Sequence, residues 1–207
     1  MAGLTALVGR AATGEDRRSF QRYLDLFLRW NQVHRMTALD SPGEIVRDLF
    51  LDSLLFFALL PARPLKIVDI GAGAGIPGLP IRLADPGIAL TLVESRRKRV
   101  SFLRTACRDL RLTDVIVKEG RADELIREDR DLAGAFDVAV TRAVGPIATL
   151  LPIALGYLRP GGLLIASGSP GASAQGPVEI VRVPVPGRRS VRSFLRAVKG
   201  SSVPRGT

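Results

Sequence analysis

The sequence predicts an α/β fold: helices first, then a mostly parallel sheet that ends in an antiparallel hairpin. Three observations carry that expectation. The first sixty residues read as helical, with apolar residues from Phe20 to Trp30 at spacings of three and four, the period of a buried helix face. From Leu65 onward, five short β-branched runs alternate with stretches long enough for crossover helices, the pattern of parallel strands covered on both faces. Beyond them, two apolar runs flank a Pro-Gly turn and read as a hairpin closing one sheet edge. The expected division is an N-terminal helical extension over 1–62 packed on the core, a core domain over 63–200 and a tail over 201–207.

In chain order, Thr13 followed by Asp16 caps a helix whose Phe20, Tyr23, Leu24, Phe27 and Trp30 form one apolar stripe. Ser41, Pro42 and Glu44 supply an N-cap, a first-turn proline and a capping-box acid for a second helix, which runs through apolar residues until Pro61 stops it. Strands are expected at "LKIVDI" (65–70), "IALTLVE" (88–94), "DVIVKE" (114–119), "FDVAVT" (136–141) and "GLLIAS" (162–167). "GSPGASAQGP" (168–177) reads as a loop, and "VEIVRVPVPGRRSVRSFLRAV" as two strands joined at "PGRR".

Composition bounds the function. The 207 residues, 46% of them hydrophobic, are enough for one domain with an appendage and a proper core. The longest apolar run, Leu49 to Leu60, is broken by Asp52 and is too short to span a bilayer, so no membrane association is expected. No signal peptide is read at the N-terminus, and a single cysteine, Cys107, precludes an internal disulfide and disfavours a cysteine metal site. The cytoplasm is the expected compartment, no metal is expected, and no interface signal argues against a monomer. A formal charge of +10, from 30 Lys and Arg against 20 Asp and Glu, points to a polyanionic partner without proving one.

"VDIGAGAGIPGLP" (68–80) places glycines directly behind the first strand, at the end of the sheet where ligands bind in such folds. Two frames fit. Gly73, Gly75 and Gly78 match the dinucleotide pattern G-x-G-x-x-G, whereas Asp69, Gly71, Gly73 and Gly75 match D-x-G-x-G-x-G, the pattern of S-adenosylmethionine enzymes. Asp69 favours the second, because an anion beside the turn suits the amino group of a sulfonium cofactor better than a pyrophosphate. Glu94, ending the second strand, is placed to accept from both ribose hydroxyls, but NAD proteins share this acid. In "GRADEL" (120–125) the Ala122 amide and the Asp123 carboxylate are candidates for the adenine edge, with a plain helix start as the alternative. Arg142, behind the fourth strand, is the candidate catalytic residue, placed to orient the substrate or the cofactor carboxylate; a surface arginine on a βα loop is its bland reading. A dehydrogenase and a non-catalytic nucleotide binder stay open on the residues alone.

"DIGAGAGIPGLPI", "LVESRRKRVSFLR", "EGRADEL" and "FDVAVTRAVGPI", in this order, resemble the bacterial 16S ribosomal RNA guanine-N7 methyltransferase family, also called glucose-inhibited division protein B. "RWNQVHRMTAL" and "LDSL" resemble its N-terminal region; the likeness runs from about residue 20 to 165. The resemblance implies a class I S-adenosylmethionine-dependent methyltransferase, Rossmann-like sheet, S-adenosyl-L-methionine as donor, and 16S rRNA or the small ribosomal subunit as partner. By motif it implies that Gly71, Gly73, Ile76, Ala122, Asp123 and Arg142 line the cofactor, with Glu94 on the ribose.

The chain departs from the family pattern at Arg35, at Leu49 and at Ser167, where members carry asparagine, histidine and lysine. These departures bear on the RNA-facing side, so a diverged acceptor, a small-molecule methyltransferase and a non-catalytic RNA-binding relative remain alternatives. After the fourth strand the chain has "TRAVGPI", with neither an N/D-P-P-Y-like turn nor a cysteine nucleophile. Guanine N7 needs neither, being an exposed lone pair. Arg96, Arg97, Lys98, Arg99 and Arg104 on one helix, and Arg182, Arg188, Arg189, Arg192, Arg196 and Lys199 in the last stretch, are candidates for phosphate contact, against the alternative of a solvated face. Aromatic residues make up only 5%, so RNA shape and backbone are the expected target rather than stacked bases. His34 and Trp30 read as a helix-end residue and a core residue.

Overall fold

The structure, a computed structural model, describes residues 2–61, 65–142, 145–167 and 178–200. The division expected at 62/63, the loop expected over 168–177 and the tail over 201–207 fall on residues outside these.

Seven strands form one sheet in the order β3-β2-β1-β4-β5-β7-β6. They are β1 (Lys66–Ile70), β2 (Ala89–Glu94), β3 (Val115–Glu119), β4 (Phe136–Arg142), β5 (Leu158–Ser167), β6 (Val178–Pro184) and β7 (Val191–Val198). The first five pair in parallel, while β7 runs antiparallel to both β5 and β6. The expected hairpin is present, and its second strand is the one that docks on β5, which leaves β6 at the edge. Chain order reverses between β1 and β4, so the turns leaving these two strands flank the crevice where α/β sheets bind ligands.

Alternation along each strand feeds two cores. Ile67, Leu90, Val138 and Ile165 face a layer that contains Tyr23, Phe27, Phe50, Leu79 and Phe102. Val68, Ile70, Val93, Ala139 and Leu164 face Leu150, Ala154 and Tyr157. The first layer is built from α2 (Gly14–His34), α5 (Gly78–Ala84) and α6 (Arg97–Asp109), the second from α7 (Ala122–Glu128) and α8 (Ile147–Tyr157); a short α1 (Ala2–Val8) precedes them.

Helix α2 starts as its sequence dictates. Thr13 Oγ1 accepts the Asp16 amide and Asp16 Oδ2 accepts the Thr13 amide, a complete capping box. Arg10 adds two hydrogen bonds to the Asp16 carboxylate and one to the Ala84 carbonyl, so this cap also ties α2 to the end of α5. The helix expected after Ser41 is not regular. Ser41 Oγ accepts the Glu44 amide at 3.1 Å, but only this half of the box is made. A short α3 (Pro42–Glu44) passes into a π-helical segment (Ile45–Leu51), then α4 (Asp52–Leu54) and a 3-10 turn (Leu55–Ala58). Residue spacing detects apolar faces; the widening and tightening of turns here accompanies long-range contacts of Asp48 and Asp52 with the sheet, which no local pattern encodes.

Candidate active site

The glycine turn begins where β1 ends. Gly71, Gly73 and Gly75 have φ of 71°, 59° and 80°, a backbone that side chains rarely adopt, so three glycines at alternate positions let the chain fold back tightly. The Gly71 and Ala72 amides donate to the Val93 carbonyl of β2 at 2.9 and 3.0 Å. Gly73 N–H donates to Glu94 Oε2 at 2.8 Å, and Arg96 N–H to Glu94 Oε1 at 2.8 Å, so the buried Glu94 carboxylate braces the turn from the neighbouring strand end.

Both glycine frames of the sequence have structural meaning. Gly78 opens α5 without a positive φ, but a Cβ there would lie 2.7 Å from Asp69 Oδ2. That closeness is used: Gly78 N–H donates to the same oxygen at 2.8 Å. Asp69 is completely buried, and its Oδ1 has no hydrogen-bond partner. Burial lifts its carboxyl to about 7, against the pull of the Gly78 amide and with a smaller push from Glu94. Asp69 therefore sits beneath the turn, between β1 and α5, with its side chain facing inward. Ile76 packs into the core on the same side.

Beside the turn lies a cavity of about 220 Å³ lined by Gly71, Val93, Gly120, Ala122, Asp123 and Leu150, among others. Here three of the sequence-predicted residues come together: Gly71 from the turn, and Ala122 and Asp123 from the start of α7. Ala122 is the first residue of its helix, where an amide has no intrahelical acceptor. Its carbonyl accepts the Tyr157 hydroxyl at 2.8 Å, which fixes α7 on α8. Arg121 and Arg127 hold the Asp123 carboxyl below its ordinary range, so it is an ionised acceptor.

Arg142 lines a different cavity, of about 380 Å³, between the π segment, the end of β4 and the β6–β7 turn. Its Nη2 donates to the Asp48 carbonyl at 2.8 Å and its Nη1 lies 3.2 Å from Asp52 Oδ2. Arg192 of β7 grips the same Asp52 carboxylate from the other side, Nε to Oδ1 at 2.6 Å and Nη2 to Oδ2 at 3.0 Å. Asp52 thus joins the N-terminal helices to two strands of the sheet. The sequence shows Asp52 within "LDSL" and as the charge that breaks the apolar run from Leu49 to Leu60, but assigns it no role; that interruption was the available signal.

Of the arginines expected to be free for phosphate, several are engaged. Arg97 and Arg104 lie 3.4 Å from Glu119, and Arg99 3.9 Å from Glu94; Phe102 and Leu103 beside them are buried as the helix pattern requires. Arg196 pairs with Glu179, and Lys199 donates to the Leu158 carbonyl. His34 is exposed at the end of α2, Trp30 packs edge-on to Phe102, and burial pushes the Cys107 thiol up to about 11.

The strand order with its antiparallel β7, and a glycine turn braced by an acid at the end of β2, define the fold of class I S-adenosylmethionine-dependent methyltransferases. An O-methyltransferase from Bacillus cereus, solved in complex with S-adenosylhomocysteine, superposes with a TM-score of 0.55 at 18% identity, over 86% of this chain and 90% of that one. Residues 16–170 match the family model GidB, rRNA small subunit methyltransferase G, and the chain belongs to that family. Proteins named ribosomal RNA small subunit methyltransferase G are similar to it: that of Alkaliphilus oremlandii is 38% identical over 150 residues, covering 72% of this chain and 62% of the relative. The Streptococcus pyogenes protein is 34% identical over 160 residues, covering 76% and 67%. The match to the Alkaliphilus protein thus spans less than two thirds of that relative's length.

Proposed function

We propose that the protein transfers a methyl group from S-adenosyl-L-methionine to N7 of a guanine in 16S rRNA of the small ribosomal subunit, in the cytoplasm. The observation that carries this reading is the glycine turn hydrogen-bonded to Glu94 beside the cavity that Ala122 and Asp123 line. The residues fit the cofactor. Each Glu94 oxygen accepts one amide and retains lone-pair capacity, so the carboxylate can take two ribose hydroxyls as well. The Ala122 amide and Asp123 carboxylate offer one donor and one acceptor to an adenine edge. Gly71 and Gly73 bring bare backbone to the ligand, with Gly75 and Ile76 shaping the turn behind them. Asp69 leaves an unpartnered buried oxygen under the turn, an acceptor that suits a cofactor with a free amino group better than a pyrophosphate.

The cofactor supplies an electrophilic methyl group when bound. The chain's own work is to align and enclose. Guanine N7 carries a lone pair that needs no deprotonation, so the absence of an assigned general base is compatible with in-line attack. Arg142, held by the Asp48 carbonyl and Asp52, is a fixed donor at the end of β4, next to the strand that bears the turn. In that position it orients the substrate rather than moving a proton. The helical extension over 1–62 belongs to the same working unit through Tyr23 and Asp52.

The test is transfer of labelled methyl from S-adenosylmethionine to small subunits from cells lacking the protein, across a salt series. Transfer that weakens steeply as salt rises supports an RNA acceptor. Transfer to a small molecule, indifferent to salt, rejects it.

A further inference from the structure

The cavity of about 380 Å³ is lined by four arginines, Arg47, Arg142, Arg188 and Arg192, against two acids, Asp48 and Asp52. The acids are already claimed. Asp52 is held by Arg192 and Arg142, and Asp48 is paired side-on with Arg47. Arg188, on the turn before β7, makes no ion pair among the described residues, although it is near enough to help hold the Asp48 carboxyl below its ordinary range. Arg142 Nη1 is buried and lacks a hydrogen bond of good geometry, despite its 3.2 Å approach to Asp52. Four guanidiniums facing two carboxylates leave an excess of two positive charges around one cavity open to solvent. Clustered like charges repel and attract an anion to join them, and planar guanidinium forks match phosphate oxygens.

We infer that this cavity seats a backbone phosphate of the RNA substrate, with Arg188 at the rim as its principal contact and the Asp52-clamped Arg142 on its floor. The inference rests on the RNA reading above and deepens it. The cavity opens at the end of β4, and β4 pairs with β1 through Asp69 and Val140, so the phosphate is anchored one strand away from the glycine turn. Asp52 acts here as a positioning residue: it fixes Arg142 and Arg192 beside the cavity through its own carboxylate, without itself touching the RNA.

The experiment compares the protein with Arg188→Gln and Arg189→Gln. Both positions are exposed on the same turn and both variants lose one charge, but Arg189 does not line the cavity. Binding of a fluorescent oligoribonucleotide from the small-subunit RNA is titrated between about 50 and 200 mM salt, and methyl transfer is measured on the same samples. Arg188→Gln is expected to lower the slope of log affinity against log salt by about 0.7–0.9 and to weaken binding roughly tenfold, with Arg189→Gln giving less than half of either effect. Equal effects of the two variants overturn the assignment, since the turn then contributes only diffuse charge. Displacement of the oligonucleotide by a few millimolar inorganic phosphate at constant ionic strength also overturns it, by marking a free-anion site. If the parent protein transfers no methyl group while the two slopes still differ, the phosphate site stands and the proposed activity falls; transfer with equal slopes gives the converse.

Discussion

The Tyr23 hydroxyl donates to the Ala74 carbonyl, fastening helix α2 to the glycine turn across 51 residues of sequence. The Tyr23 ring is fully buried and stacks on Phe50 at 4.7 Å between centroids. Removing only the hydroxyl in Tyr23→Phe keeps this packing and leaves a buried carbonyl unsatisfied. The expected cost is about 1–2 kcal/mol of stability, with a severalfold loss of cofactor affinity. Denaturant unfolding and calorimetric titration of S-adenosylmethionine measure the two.

Gly75 and Gly73 separate steric from purely conformational demand. A Cβ at Gly75 would lie 2.6 Å from Leu79 Cγ and 3.1 Å from Tyr23 Oη, whereas at Gly73 the nearest atom is the flexible end of Arg99 at 3.7 Å. Both positions have positive φ. Gly73→Ala is expected to cost about 1 kcal/mol for its left-handed backbone, and Gly75→Ala about 3 kcal/mol or more through the added clash. Thermal unfolding of the two variants gives the order directly.

Glu94→Gln tests the brace. An amide offers one acceptor oxygen where the carboxylate used two, so one of the Gly73 and Arg96 amides then faces an NH2 group. A loss of about 1–3 kcal/mol in stability and a loss of cofactor affinity of about tenfold or more are expected. Unchanged affinity, by calorimetry, removes Glu94 from the site.

Asp69 gives a pH signature. Its folded-state value of about 7 lies above the roughly 3.9 of an unfolded chain. Between these values the folded state holds the extra proton, so the carboxyl's contribution to stability is complete at acid pH and is lost as pH rises through 7. Relative to Asp69→Asn, the parent protein is expected to lose about 2–3 kcal/mol between pH 5 and pH 8. Parallel unfolding curves for the two proteins would show that the carboxyl titrates normally.

The clamp on Asp52 is the test of how the N-terminal helices meet the sheet. Asp52→Asn leaves Arg142 and Arg192 facing each other with their shared countercharge gone. Breaking a partly buried ion network of this kind is expected to cost about 3 kcal/mol. Arg192→Gln, on the more exposed partner, is expected to cost about 1 kcal/mol, measured by urea unfolding at neutral pH.

What the sequence made legible follows the range of the forces involved. The cap at Thr13 and Asp16, the five parallel strands and the terminal hairpin rest on local patterns, and each appears with boundaries shifted by a few residues at most. The glycine frame was ambiguous because Gly71, Gly73 and Gly75 answer a backbone demand while Gly78 answers a contact with Asp69. The π segment, the Asp52 clamp and the Tyr23 bond to Ala74 were not legible. The bond and the clamp join partners 51 and 140 residues apart, the π segment meets Arg142 through the Asp48 carbonyl 94 residues away, and no periodicity marks any of them. Asp69 was expected to face the ligand; its burial beneath the turn depends on the approach of α5, which the sequence alone does not locate.

The most direct test of the proposed activity is the position of the methyl group. Small subunits labelled by the protein are treated to cleave RNA at N7-methylguanine, and the fragments are mapped. Scission is expected at one guanine of the 16S rRNA, dependent on both protein and S-adenosylmethionine. Labelled RNA that resists this cleavage would contradict it, by placing the methyl group on another atom.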